Sequence, residues 1–241
     1  MHVLVEYNKN YEDVCKELSL LNFIPVTIFK LRLSGKLEII SQLEKIRELK
    51  KRINPKCSAI QVQIDKMENS TVGTVNSLRS EFDIVIGLGG LNKINRFFLE
   101  DTLIDFLRDP HNVIFRNKMD FIHHQNSGIN HVLCNLANER DIGMFFSLNF
   151  VLGQNKNIAK EFGRISQNIK FCQKYKVDVL LNFAISNVNQ IKTSSQLKKI
   201  STLFNLSSQM SSKSNTLLGD VINKNKFRAS DKHVIDGISF K

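Results

Sequence analysis

"DFIHHQNSGINHVLCNLANERDIGMFFSLNF", residues 120–150, passes from a helical pattern straight into a strand-like one, and the reading of this pair decides the fold. Ile129, Val132, Leu133 and Leu136 fall on one stripe at helical spacing, while "GMFFSL" (143–148) is an apolar run of strand length. Outward from this unit the same alternation repeats in both directions. Strand candidates are "HVLVEY" (2–7), "IPVTIFKL" (24–31), "SAIQVQI" (58–64), "DIVIGL" (83–88), "LIDFL" (103–107), "MDFIHH" (119–124), "GMFFSL" and "VDVLLNF" (177–183). Helical segments separate them; around 38–52, Ile39, Leu43, Ile46, Leu49 and Ile53 recur at steps of three or four and form one stripe that must pack on a sheet.

A hairpin cannot join parallel strands, so strand and helix in repeated alternation imply right-handed crossovers and a parallel sheet. Eight such repeats give an α/β chain closed into a TIM-like (β/α) barrel. The alternative is an open doubly wound sheet, but no GxGxxG follows the first strand, and "GLGG" (87–90) has the spacing of a tight turn. After the last strand, Thr193 is a candidate N-cap for a helix bearing Leu197, Ile200 and Phe204, and a further helix runs through Leu217 to Ile222. Residues 1–222 are thus expected to form one barrel domain, and the polar, basic 223–241 a loosely docked tail.

A chain of 241 residues, 42% of them hydrophobic, can bury a sizeable core. Its apolar runs fall far short of the roughly 20 residues of a membrane helix, so no membrane partner is expected. The start, "MHVLVEYNKNYEDV", lacks the pattern of an export signal. Cys15, Cys57, Cys134 and Cys172 are scattered and form no CxxC, which points to a reducing, cytoplasmic setting. Lys plus Arg total 34 against 23 Asp plus Glu, a net +11 that favours polyanionic partners. The excess is uneven: 30–56 and 190–241 each hold nine basic and three acidic side chains.

Three of the six histidines, His123, His124 and His131, lie in the opening stretch. A hydrolytic zinc site needs three or more converging ligands with a position left open for water. His123 and His124 are neighbours on a strand, so their side chains leave opposite faces. His131 falls on the polar face of its helix with Asn135 and Asn138, in the first turn after a strand, which is the rim where barrels bind ligands. There is no GxSxG elbow and no local Cys–His–Asn motif, and Asp and Glu are mostly scattered on helices with Lys nearby, a weak basis for paired-carboxylate chemistry. The residues define no self-contained active site.

Three stretches carry a family resemblance: "KINRFFLEDTLIDFLRDP" (93–110), "SGINHVLCNLANERDIGMFFSLNFVL" (127–152) and "NIKFCQKYKVDVLLNFAISNVNQIKTSSQLKKISTLFNL" (168–206). Together they resemble, in order and over roughly residues 80–210, protein component 3 of archaeal ribonuclease P, relatives of the eukaryotic thirty-kilodalton subunit. The resemblance implies a TIM-like barrel related to polymerase-and-histidinol-phosphatase metallohydrolases. Their metal sites begin with a histidine pair on the first strand, where "MHVLVEY" has His2 alone.

It further implies a protein cofactor of a ribozyme. The ribonuclease P RNA removes the 5′ leader of precursor tRNA with its own magnesium ions, and component 3 pairs with component 2 to support that RNA. The polypeptide itself would be non-catalytic, with no bound metal or cofactor. By the family pattern the RNA contacts are Lys93 and Arg96 in "KINR", His131 in "GINHV", Arg164 opening the long helix, Lys174 ending it, and Lys192 in place of an arginine. Asn149, Asn182 to Ala184 and Ser194–Ser195 depart from that pattern, and Arg116 and Lys118, in the long 111–126 segment, would supply compensating phosphate contacts. Two other functions compete with this one. A metal-dependent phosphoesterase needs further inward His and Asp ligands near strand ends; a general basic RNA-binding barrel needs no particle at all.

Overall fold

The computed structural model describes residues 1–65, 67–112, 120, 126–152, 158–230, 233–235 and 238–239. Seven parallel strands follow one another in sequence order around a barrel: β1 (His2–Glu6), β2 (Ile24–Leu33), β3 (Cys57–Ile64), β4 (Ile84–Leu88), β5 (Phe106–Arg108), β6 (Gly143–Ser147) and β7 (Val179–Asn182). Each pairs with the next, and a single parallel bridge between Val5 and Ile185 closes the ring. Its two bonds are Glu6 N–H to Ile185 O at 2.8 Å and Ile185 N–H to Leu4 O at 2.9 Å.

Alternation along each strand sorts the apolar side chains into two cores. Leu4, Val26, Ile28, Ala59, Ile84, Ile86, Phe106, Phe145 and Leu180 fill the barrel interior, while Val3, Val5, Phe29, Leu31, Ile60 and Val62 join the larger core under the outer helices. Those helices are α1 (Tyr11–Leu20), α2 (Lys36–Ile53), α3 (Asn69–Ser77), α4 (Asn92–Asp101), α5 (His131–Glu139), α6 (Ile158–Tyr175) and α7 (Ser194–Leu203). In α2 the expected stripe, Ile39 to Ile53, packs on that outer core. Lys50, Lys51 and Arg52 complement its C-terminal dipole, and Asn54, left-handed at φ 47°, ends it.

The last long helix, α8 (Ser208–Arg228), stoppers the barrel at the N-terminal ends of the strands. Leu217, Leu218 and Ile222 join the interior core. Ser214 Oγ accepts from Leu181 N–H (2.9 Å), and Asn225 Nδ2 donates to Asp83 O and to Asp105 Oδ1, both at 2.9 Å. Gly219 sits so close to His2 that a Cβ there would lie 2.6 Å from the imidazole Nδ1. A short antiparallel ribbon, β8 (His233–Ile235) and β9 (Ile238–Ser239), follows.

The barrel expected from the alternation is thus present, with three revisions. Seven strands make the sheet among the described residues, and most of the eighth candidate, 119–124, lies outside them. The helix does not stop at 222: it continues to Arg228 because Asn225 anchors it to the starts of β4 and β5. β5 is shifted from 103–107 to 106–108, since Leu103 is exposed and the strand instead ends on a buried arginine.

Candidate nucleic-acid interface

The βα connections open at the C-terminal ends of the strands, the end at which barrels bind ligands. Lys93 is exposed on the first turn of α4, just after β4. His131 is the first residue of α5 and exposed, behind Asn130, whose side chain accepts from Leu133 N–H at 3.0 Å. Lys192, half-buried with its Nζ donating to Asn189 O at 3.1 Å, immediately precedes the Thr193–Gln196 capping box that opens α7. Three expected contacts therefore stand where three helices begin. Helix N-termini point unpaired N–H groups and a partial positive charge outward, so the rim suits phosphate.

Arg96, one turn further along α4, is exposed but held by Glu100 through two hydrogen bonds, of 2.6 and 3.1 Å, which also hold the Glu100 carboxyl below its ordinary range. The remaining expected residues are not gathered on this rim. Arg164 is only 1% exposed and donates to Asp120 Oδ1 at 2.9 Å, so it is an internal strut and not a surface contact. Lys174 ends α6, at the opposite end of the barrel from Lys93, with its Nζ 5.6 Å from the Tyr175 ring centre. Arg116, Lys118, His123 and His124 lie outside the described residues. Val132, expected on the apolar stripe of α5, is 47% exposed beside His131.

Two groups at this end escape a reading of charge alone. Asn95, fully buried, accepts from Gly90 N–H at 2.8 Å and donates to Pro110 O (2.9 Å) and Gly128 O (2.7 Å). It ties together the loop after β4, the end of β5 and the entry to α5, and so fixes the spacing between Lys93 and His131. The "GLGG" turn serves the same packing: a Cβ on Gly89 would lie 2.6 Å from Pro110 Cα. The signal is present in the sequence, since Asn95 and Gly128 sit within the "KINR" and "SGINH" stretches, but neither residue carries the charge that marks Lys93, Arg96 and His131 beside them.

The second is the barrel mouth. Arg108, at the end of β5, points inward, 8% exposed; it reaches Glu6 Oε1 at 3.5 Å, Asp109 Oδ2 at 3.3 Å and Ser147 Oγ at 3.4 Å, and hydrogen-bonds Gln61 Oε1. Its guanidinium lies 5.2 Å from the Phe145 ring centre. Asp109, left-handed at φ 47°, turns the chain off the strand and accepts Ser147 N–H at 2.8 Å. Burial pushes its carboxyl above the usual range, against the pull of Arg108. The carboxylates at the mouth are thus engaged by a fixed organic cation. Among the described residues no three His, Cys, Asp or Glu side chains converge as metal ligands. His2, at the other end, has its pKa lowered by burial and by Lys226 nearby.

No family model matches the chain. The resemblance read from the sequence is borne out among individual proteins. A protein of Methanococcus maripaludis (strain C7) named Ribonuclease P protein component 3 is 27% identical over 134 residues, 55% of this chain and 53% of the relative. The chain thus spans about half the length of the Methanococcus relatives it matches. A Methanothermobacter thermautotrophicus (strain Delta H) protein of the same name is 23% identical over 185 residues, 74% of this chain and 69% of that one. In three dimensions the chain is similar to one in the cryo-EM structure of archaeal ribonuclease P with mature tRNA, with a TM-score of 0.73 and 19% identity over 100% of this chain and 97% of the other. That likeness establishes the fold as a TIM-like α/β barrel.

Proposed function

We propose that this chain is a protein subunit of ribonuclease P, which binds and supports the catalytic RNA while that RNA removes the 5′ leader of precursor tRNA. The observation that carries the reading is similarity over 134 residues to proteins named Ribonuclease P protein component 3; the full-length fold likeness to a chain of archaeal ribonuclease P supports it. In this reading Lys93, His131 and Lys192 meet RNA phosphates at the rim, assisted by the first turns of α4, α5 and α7. A histidine adds a hydrogen bond to phosphate or a 2′-hydroxyl. Asn95 keeps Lys93 and His131 in register. Protein component 2 is the partner subunit, the work is cytoplasmic, and the magnesium of the cleavage step is held by the RNA, the polypeptide holding no cofactor of its own. The guanidinium of Arg108 in the barrel mouth favours this over metal-dependent phosphoesterase chemistry, because a divalent cation there would meet a fixed positive charge.

The test is cleavage of precursor tRNA by the cognate RNA with component 2 at limiting magnesium, with and without this chain. A rise in turnover, with no cleavage by the chain alone, is expected. Cleavage without RNA would overturn the reading in favour of the phosphoesterase. The absence of any effect would reduce the resemblance to shared ancestry.

A further inference from the structure

On the outer wall of the barrel, near the N-terminal ends of β2 and β3, a cavity of about 470 Å³ opens between α1 and the loop 54–56 that joins α2 to β3. Two rings, Tyr11 and Phe23, and two prolines, Pro25 and Pro55, line it. Tyr11 is held in place, because its hydroxyl is hydrogen-bonded to Thr27 Oγ1 at 2.7 Å, and Phe23 packs against the outer core. The walls are thus apolar, partly aromatic and rigid. Lys16 stands on the α1 side and Lys56 on the loop, both exposed and neither in an ion pair among the described residues. Glu12 is the one carboxylate among the lining residues described, so the local charge is +1. Asn54 is exposed beside them; its backbone N–H is taken by Lys50 O, and its side-chain amide presents a donor and an acceptor.

This combination suits a nucleotide. Aromatic faces stack on bases, cations on opposite sides hold the phosphates that flank a base, and an amide can pair with a base edge. The volume lies within the range of ligand pockets, commonly about 300–1,000 Å³. A base still paired within a duplex cannot enter such a cavity, which leaves an unstacked one. A peptide would have to be acidic to satisfy both lysines, and a chain of net +11 favours a polyanion. We propose that this cavity holds one unpaired nucleotide of a single-stranded RNA, at a site separate from the rim. It goes beyond the ribonuclease P reading and does not depend on it.

Cys15 supplies the probe. It lines the cavity and is half-buried, whereas Cys57, Cys134 and Cys172 are buried, so a thiol reagent modifies Cys15 first. The experiment follows alkylation of Cys15 by N-ethylmaleimide in the full chain, by mass spectrometry, as a single-stranded RNA hexamer is added. Saturable protection is expected from the single strand and none from a blunt duplex of the same sequence. Lys16→Ala and Lys56→Ala should each raise the RNA concentration for half-protection about threefold, the worth of an exposed ion pair. Both lysines are exposed, so the variants should fold like the parent, which thermal unfolding verifies. Lys93→Ala should weaken RNA binding at the rim but leave the protection of Cys15 unchanged, so the two readings fail separately. The proposal is overturned if the hexamer leaves the alkylation rate unchanged, if the duplex protects equally, or if the variant lacking both lysines is protected like the parent. It is overturned too if an acidic amphipathic peptide protects at lower concentration than the RNA, which would make the cavity a protein-docking surface.

Discussion

Asn95 and Arg164 show how far a side chain's role departs from its type. Asn95 satisfies three backbone groups from three loops. Replacing it with alanine removes all three bonds, and a buried polar group left unpaired costs about 1–3 kcal/mol. Asn95→Ala should therefore lower unfolding free energy by about 1–3 kcal/mol in urea titration and, under the proposed function, weaken RNA binding by letting Lys93 and His131 shift relative to each other. Arg164 holds Asp120. Burial alone would raise that carboxyl, but hydrogen bonds from Arg164 and Lys160 and the Asn126 N–H prevail and bring its pKa to about 2. A folded pKa below the unfolded value, about 4, stabilises the fold above pH 4, and the contribution is lost as pH falls toward 2. Asp120 is a quarter exposed, so we expect about 1–2 kcal/mol. In Asp120→Asn the decline in stability between pH 4 and pH 2, measured by urea midpoints, should be shallower. Neither role was legible: a lone asparagine or arginine carries no periodicity, and only the folded chain says whether a cation faces water.

Among the elements, strands and outer helices were the legible part. The period-3.6 stripe Ile39–Ile53 is imposed by burial on one face, the continuous apolar run "GMFFSL" by burial on both faces of a parallel strand, and α7 is legible from its cap at Thr193. The stopper helix α8 was cut short because the groups it buries include Ser211, Ser214 and Gly219, which look like linker residues in a sequence. Its fit can be tested. Gly219→Ala forces a Cβ against His2 and should cost about 1–3 kcal/mol, and His2→Ala in the same chain should restore part of the loss, measured as a double-mutant cycle by urea denaturation. Truncation after Ile222 removes Asn225 and should lower the thermal midpoint by several degrees.

Over the whole molecule, the net +11 says that a polyanion is favoured but not where it sits; the rim was legible because position around a barrel follows from topology and not from charge counts. Under the proposed function, RNA affinity should fall linearly with the logarithm of salt concentration, and Lys93→Ala should reduce that slope by about 1 in filter-binding titrations. The single bridge between Val5 and Ile185 has a consequence for how the chain is made. Asn8 and Ser186, whose contact at 3.0 Å lies beside the seam, are 178 positions apart. At about 5–20 residues per second a ribosome needs roughly 10–35 s between them. Throughout that interval β1 has β2 on one side and an open backbone edge on the other, with the apolar interior unstoppered. Nascent chains arrested before residue 185 should thus be held by chaperones or aggregate, and seal only when the last strand and α8 leave the exit tunnel.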